Sequence, residues 1–211
     1  MKNNPYVGPR PYSRKDRNNF FGRNREARDL LAKIIAERVV LFYAQSGAGK
    51  SSLLNAKIIP ALEEDEGIHM LTKEREKSEL PPGVAAVAVD NVFVFSVLLT
   101  LAGEDIEPRV LLKLTLASFL QTYYPAPELE EEEDDGGAPL LLIVDQFEEL
   151  FTTHQDRWQE ARGFFEQVRE ALETLSHLGI VFTMREDYVA GVDPYASLLP
   201  RRLRARFRME R

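Results

Sequence analysis

The chain has 211 residues, 44% hydrophobic and 29% charged, with a formal net charge of −7, which suits one large α/β domain hiding roughly 70% of its unfolded surface. It has no cysteine, which excludes disulfides, thiolate metal sites and cysteine nucleophiles and fits a reducing, cytoplasmic setting. The net negative charge argues against a general nucleic-acid binder, and the longest apolar run, 92–102, falls far short of the ~20 residues that cross a membrane.

Residues 1–19 mix Pro, Gly, Asn and charge and read as an irregular lead-in, with no apolar core of a signal peptide. Over 25–37 the apolar residues Ala27, Leu30, Leu31, Ile34 and Ile35 recur at helical spacing. The continuous apolar run 39–43 is what a parallel strand covered on both faces looks like. A small-residue loop, 44–49, comes next, then a helix over 50–59 that Pro60 is expected to stop. The charged stretch 63–82 reads as a loop with partial helix, and 83–90 as a second buried strand.

Helices are expected over 92–102 and 108–123, and a solvated acidic loop over 125–139. Residues 140–144 form another apolar strand ending at Asp145, followed by a helix over 157–175 with a stripe from Ala161 to Leu175. A further strand covers 179–183, with Arg185 just past it. Over 203–210 apolar residues alternate with arginine and glutamate, the pattern of a half-exposed edge strand. Strands alternating with helices imply a parallel sheet with crossovers. The histidines His69, His154 and His177 show no metal-ligand spacing.

The chemistry concentrates in Ala44-Gln45-Ser46-Gly47-Ala48-Gly49-Lys50-Ser51. This fits the phosphate-binding pattern G-x-x-x-x-G-K-[ST] except that Ala44 replaces the first glycine. A phosphate chain needs inward backbone N–H groups, glycines where side chains would collide, and a helix N-terminus behind them. Lys50 would neutralise the β- and γ-phosphates, and the Ser51 hydroxyl would ligate Mg²⁺. Asp145, at the tip of its strand, would hold the same ion from the carboxyl edge of the sheet. Glu148 and Glu149 follow in Asp145-Gln146-Phe147-Glu148-Glu149, where one could orient the attacking water, although acidic residues also favour helix starts through the macrodipole. Arg185 could touch the γ-phosphate and report its loss.

Phe20-Phe21-Gly22-Arg23 with Glu26, the P-loop with Ser51-Ser52-Leu53-Leu54 running to Pro60, DQFEELF over 145–151, and Thr183-Met184-Arg185-Glu186-Asp187 occur in this order. The set resembles the STAND class of signalling NTPases, specifically the bacterial novel STAND group, relatives of the NACHT and NB-ARC switch domains. The resemblance implies an ASCE-type P-loop NTPase fold of about five parallel strands flanked by helices, spanning 20–211, with an extra strand between the P-loop strand and the Asp145 strand. It implies ATP with Mg²⁺ as ligands and a slow, ATP-dependent switch that self-associates or docks on other STAND-protein domains. Carried over by position, Gly22 and Arg23 would lie near base and sugar, and Ser46, Gly47, Ala48, Gly49, Lys50, Ser51 and Ser52 would line the phosphates. Ser51 and Asp145 would take the metal, Glu148 (ahead of Glu149) would be the catalytic carboxylate, and Arg185 the sensor.

The chain ends at Arg211, where the small helical and winged-helix domains of that class would begin, as expected of a fragment or stand-alone module with weakened nucleotide retention. Two other readings remain open. A small-molecule phosphotransferase would use the same loop but needs a lid of arginines. A non-hydrolysing ATP-binding module would use Arg201, Arg202, Arg204, Arg206, Arg208 and Arg211 to bind an acidic partner or nucleic acid, although such arginines also protect an exposed strand edge.

Overall fold

A computed structural model describes residues 10–71, 81–125, 139–153 and 155–210. Helix α1 (Asn24–Ala36) leads into strand β1 (Val39–Ala44). A single helical rod follows as α2 (Lys50–Leu53), a π-helical turn (Leu54–Ile58) and α3 (Ile59–Glu64), and the chain then enters β2 (His69–Leu71). Next come α4 (Val92–Ala102), α5 (Pro108–Leu111), α6 (Leu116–Tyr123) and β3 (Leu140–Val144). The remainder is α7 (Glu149–Thr152), α8 (Glu160–Thr174), β4 (Leu178–Arg185), α9 (Val189–Val192) and β5 (Arg206–Met209).

The sheet runs β2-β3-β4-β1-β5 with every pairing parallel. Strand β4 therefore sits between β1 and β3, the inserted strand that the family resemblance implied. Parallel strands must be covered on both faces, and the alternation of side chains supplies both coverings. Val39 and Leu41 point to one core with Leu142, Ile180 and Phe182, where Phe119, Phe164 and Phe165 of α6 and α8 pack. Val40 and Phe42 point to the other with Leu141 and Val181, against Leu30 and Ile34 of α1 and Leu53, Leu54 and Ile58 of the rod. Each of the fully buried phenylalanines contributes about 1.5–3 kcal/mol by leaving water. No helix of the described residues is long and apolar enough to cross a membrane.

Several local expectations are overturned. Residues 83–90 are no strand: Ala86–Ala88 form one 3-10 turn, with Val87 94% exposed. The segment is alanine-rich and offers little side-chain surface for a pleated sheet to bury. The strand lies instead at His69–Leu71, paired with Leu140–Leu142, too short to leave a periodic signal. Pro60 does not stop its helix, because the rod continues to Glu64. The π-helical turn ahead of it widens the ring of hydrogen bonds where a proline has no N–H to give. The helix expected over 108–123 divides at Thr115, whose side chain accepts from the Ser118 N–H at 3.1 Å while the Ser118 hydroxyl accepts from the Thr115 N–H at 2.9 Å. Strand β4 runs on to Arg185, which is its last residue. The alternating segment narrows to Arg206–Met209, and it does form an edge of the sheet.

The described part of the lead-in, 10–19, is not irregular throughout. Arg14–Asn19 form a 3-10 helix that lies on the helical rod. Arg14 pairs with Glu63 and Glu64, Arg17 with Glu64 at 2.8 Å, and the Tyr12 N–H donates to the Ser52 hydroxyl at 3.1 Å. The acidic segment 126–138, residues 72–80, residues 1–9, His154 and Arg211 lie outside the described residues.

Candidate functional site

Strand β1 is buried along its length and carries the chain to the carboxyl edge of the sheet, where Ala44 is completely buried and lies level with Arg185 of β4 and Met209 of β5. Ala44 is still a strand residue, so this position does not call for glycine. Gly47 and Gly49 do: their φ angles of 72° and 97° lie in the left-handed region. A Cβ built on either would meet no atom within 4 Å. No part of the chain crowds either glycine on that side, where Gly47 is exposed and Gly49 and Lys50, at the start of the rod, are half-buried. Ala48 turns inward and packs in the core beside α1 and the rod. Ser46 is exposed on the outer turn.

Burial depresses the pKa of Lys50; the Glu148 and Asp145 carboxylates push the other way, and Arg185 adds to the lowering. A cation partly stripped of water gains from any anion brought beside it.

Next along the rod, the Ser51 hydroxyl donates to Asp145 Oδ2 at 3.2 Å. The start of the rod and the tip of β3 therefore meet. The turn after β3 is held at three further points. Gln146 adopts a left-handed φ of 54° and its N–H donates to Asp145 Oδ1 at 2.9 Å. The Phe147 N–H donates to the Thr183 carbonyl at 2.7 Å, and the Phe147 ring lies 4.5 Å from that of Phe182. Glu148 then folds back, so that its Oε2 accepts from the Arg185 N–H at 3.2 Å.

Arg185 stands at the end of β4 with its guanidinium drawn to Asp187 at 2.5 Å and over the Tyr188 ring at 5.5 Å. The Asp187 contact is the main cause that raises its pKa. Its Nε is buried with no hydrogen-bond partner, a donor whose burial is costly until something accepts from it.

The remaining predicted site residues divide in two. Gly22 and Arg23 lie on the opposite flank of the loop, beyond β5. Arg23 opens α1 in a left-handed conformation (φ 54°) and donates to the Glu210 carbonyl at 2.6 Å and to Glu26 at 3.2 Å. Ser52 turns its hydroxyl to Tyr12. Glu149 begins α7, and the carboxylates that act on Lys50 are Glu148, Asp145 and Asp187. Lys50, Ser51, Asp145, Glu148 and Arg185 thus form one cluster, with Gly22 and Arg23 outside it.

The donor set suits a small hard cation: a hydroxyl and a carboxylate, both oxygens. The open space beside Gly47 and Gly49 likewise fits a phosphate chain.

One residue of the family-like segments was given no role in the sequence. Thr183 is fully buried, the only such polar side chain among the described residues, and its hydroxyl donates to Asp145 Oδ1. The signal was a lone hydroxyl inside the apolar run Gly179-Ile180-Val181-Phe182-Thr183-Met184.

The fold is similar to that of a solved Walker-type ATPase of Pyrococcus abyssi, at a TM-score of 0.53 and 17% sequence identity. That match covers 96% of this chain and 55% of the other, so this chain spans about half the length of that protein. No curated protein matches the chain in sequence. A family model described as novel STAND NTPase 1 matches residues 5–209, nearly the whole chain, and the chain belongs to that family of NTPase domains.

Proposed function

We propose that the chain binds ATP with Mg²⁺ and works as a nucleotide-dependent signalling switch that hydrolyses ATP slowly. The observation that carries this reading is the 3.2 Å contact between Ser51 and Asp145. It joins the loop that would hold phosphates to the carboxylate that would face the metal.

The geometry supports a role for each residue. The backbone around Gly47 and Gly49 would cradle phosphate, and Lys50 would supply positive charge that burial has already stripped of part of its water. Ser51 and Asp145 would hold Mg²⁺, which, when bound, neutralises charge on the phosphate oxygens. Glu148 faces both Lys50 and the Arg185 backbone, and is the carboxylate that would orient a water for attack. Arg185, with an unsatisfied Nε, would lean toward a γ-phosphate and relax toward Asp187 once it has gone. Gly22 and Arg23, on the β5 flank, would border the sugar and base. Self-association or docking on companion domains belongs to the switch reading.

For the rival reading through the basic C-terminal edge, the arginines count against a free binding stripe. Arg201 pairs with Glu37, Arg206 with Asp193, and Arg208 with Glu186 and Glu210.

Thermal unfolding with and without ATP and Mg²⁺ tests the proposal. Nucleotide at ~100 Kd stabilises a one-site protein by about 2.7 kcal/mol, or roughly 5–10 °C for a domain of this size. A melting curve indifferent to saturating ATP and Mg²⁺ would overturn it.

A further inference from the structure

We infer that Thr183 is a positioning residue that sets which oxygen Asp145 offers to the metal. The inference deepens the proposed reading and rests on Asp145 being the magnesium-side carboxylate.

Apart from Thr183, strand β4 is apolar wherever it is buried: Leu178, Ile180, Val181, Phe182 and Met184 are each at most 1% exposed. Thr183 is 0% exposed among them. A valine would fill the same shape in a strand, and a buried hydroxyl costs about 1–3 kcal/mol when nothing satisfies it. The hydroxyl therefore needs a partner, and its partner is Asp145 Oδ1. A carboxylate only accepts, so the Thr183 hydroxyl must be the donor. The Gln146 N–H donates to the same Oδ1 at 2.9 Å. With Oδ1 engaged twice, the side-chain torsion is pinned and Oδ2 is left toward Ser51, at 3.2 Å. This is how outer-shell hydrogen bonds orient a metal-facing carboxylate.

Thr183 also holds the turn through its main chain, where its carbonyl accepts from the Phe147 N–H at 2.7 Å. The two grips are separable. A Thr183→Val substitution deletes the side-chain grip and leaves the backbone one, so its effect reads the orientation of Asp145 rather than the position of the turn.

The test measures the ATP dissociation constant of the full chain in excess Mg²⁺ and in EDTA, for wild type, Thr183→Val, Thr183→Ala and Thr183→Ser, each checked for a cooperative melting transition. Losing an outer-shell partner costs about 10–100-fold in metal affinity. Thr183→Val should therefore lose roughly tenfold or more of the gain that Mg²⁺ gives to ATP binding, while affinity in EDTA stays within about threefold of wild type. Should Thr183→Val fail to fold, Thr183→Ala, which presses no methyl group on the carboxylate, gives the same loss. Thr183→Ser restores the gain. A Mg²⁺ gain undiminished in the valine and alanine variants, or a serine variant as impaired as they are, overturns the inference. A wild-type chain that binds ATP without responding to Mg²⁺ overturns Asp145 as the metal carboxylate and Thr183's part with it. A wild-type chain that does not bind ATP in either buffer overturns the nucleotide reading on which both rest.

Discussion

Ala44 and Arg185 lie side by side as the last residues of β1 and β4. The register puts the arginine at the doorstep of the glycine loop, since the chain leaves β1 directly into that loop. A guanidinium there, held by Asp187 and with one buried N–H unmatched, has a reason to move when an anion arrives. Hydrogen bonds to charged groups are worth about 1.5–3 kcal/mol, and 1.4 kcal/mol is tenfold in affinity. Arg185→Ala should therefore bind ATP roughly tenfold more weakly while its ADP affinity changes by less than about threefold. Calorimetric titration of both nucleotides checks this, and equal losses for ATP and ADP would remove the sensor role.

Lys50 gives a prediction with a pH sign. Its folded-state pKa is depressed by burial, so between that value and the ordinary lysine value near 10.4 the unfolded chain binds more protons than the folded one. Stability contributed by this group therefore rises with pH across that window, and the cost of burying the charge is present in full below it. Unliganded Lys50→Met should melt at or above wild type at neutral pH, with the difference shrinking as pH approaches ~10.4. In the same variant the roughly 5–10 °C gain from saturating ATP should vanish. A full nucleotide shift in Lys50→Met would mean that the phosphates sit elsewhere.

The two glutamates separate on geometry. Glu148 accepts from the Arg185 N–H and acts on Lys50, while Glu149 opens the short helix α7. General-base assistance contributes typically 10²–10⁴-fold. Glu148→Gln should cut steady-state phosphate release by about that factor, and Glu149→Gln by less than about fivefold. The reverse order would transfer the role to Glu149.

The sheet was readable where burial on both faces favours apolar runs, as at Val39–Ala44 and Leu140–Val144 and, with Thr183 as an interruption, in Leu178–Arg185. It was unreadable at His69–Leu71, an edge strand of three residues whose exposed first residue breaks the run. Gly83–Asp90 imitated a strand in composition, yet alanine brings too little surface to be held in one. Pro60 was misjudged because proline's usual effect assumes a regular α-helix ahead of it, and here the preceding turn is π-helical. Within the candidate site, Lys50, Ser51 and Asp145 could be singled out in the sequence because phosphate and metal binding would call for those residue types in that order, and the structure brings them together. Thr183 was not, since its role is fixed by a neighbour nearly forty positions away in the chain, across the β3–β4 ladder. The hold of Tyr12 on Ser52 was hidden for the same reason.

Phe147 ties the turn after β3 to the core. It is 3% exposed, and its ring lies 4.5 Å from Phe182 and 5.7 Å from both Phe164 and Phe165. Truncating a buried phenylalanine to alanine costs about 3–5 kcal/mol, which at 2–4 °C per kcal/mol lowers the melting point by roughly 6–20 °C. Phe147→Leu keeps most of the volume and should cost less than about 1.5 kcal/mol. The turn also sets where Asp145 stands, because the Phe147 N–H is bonded to Thr183. Phe147→Ala should accordingly weaken ATP binding in Mg²⁺ even at temperatures where it remains folded, and Phe147→Leu should not. A Phe147→Ala variant that melts within about 2 °C of wild type, well below the shift expected from that cavity, would show that the aromatic cluster does not hold the turn.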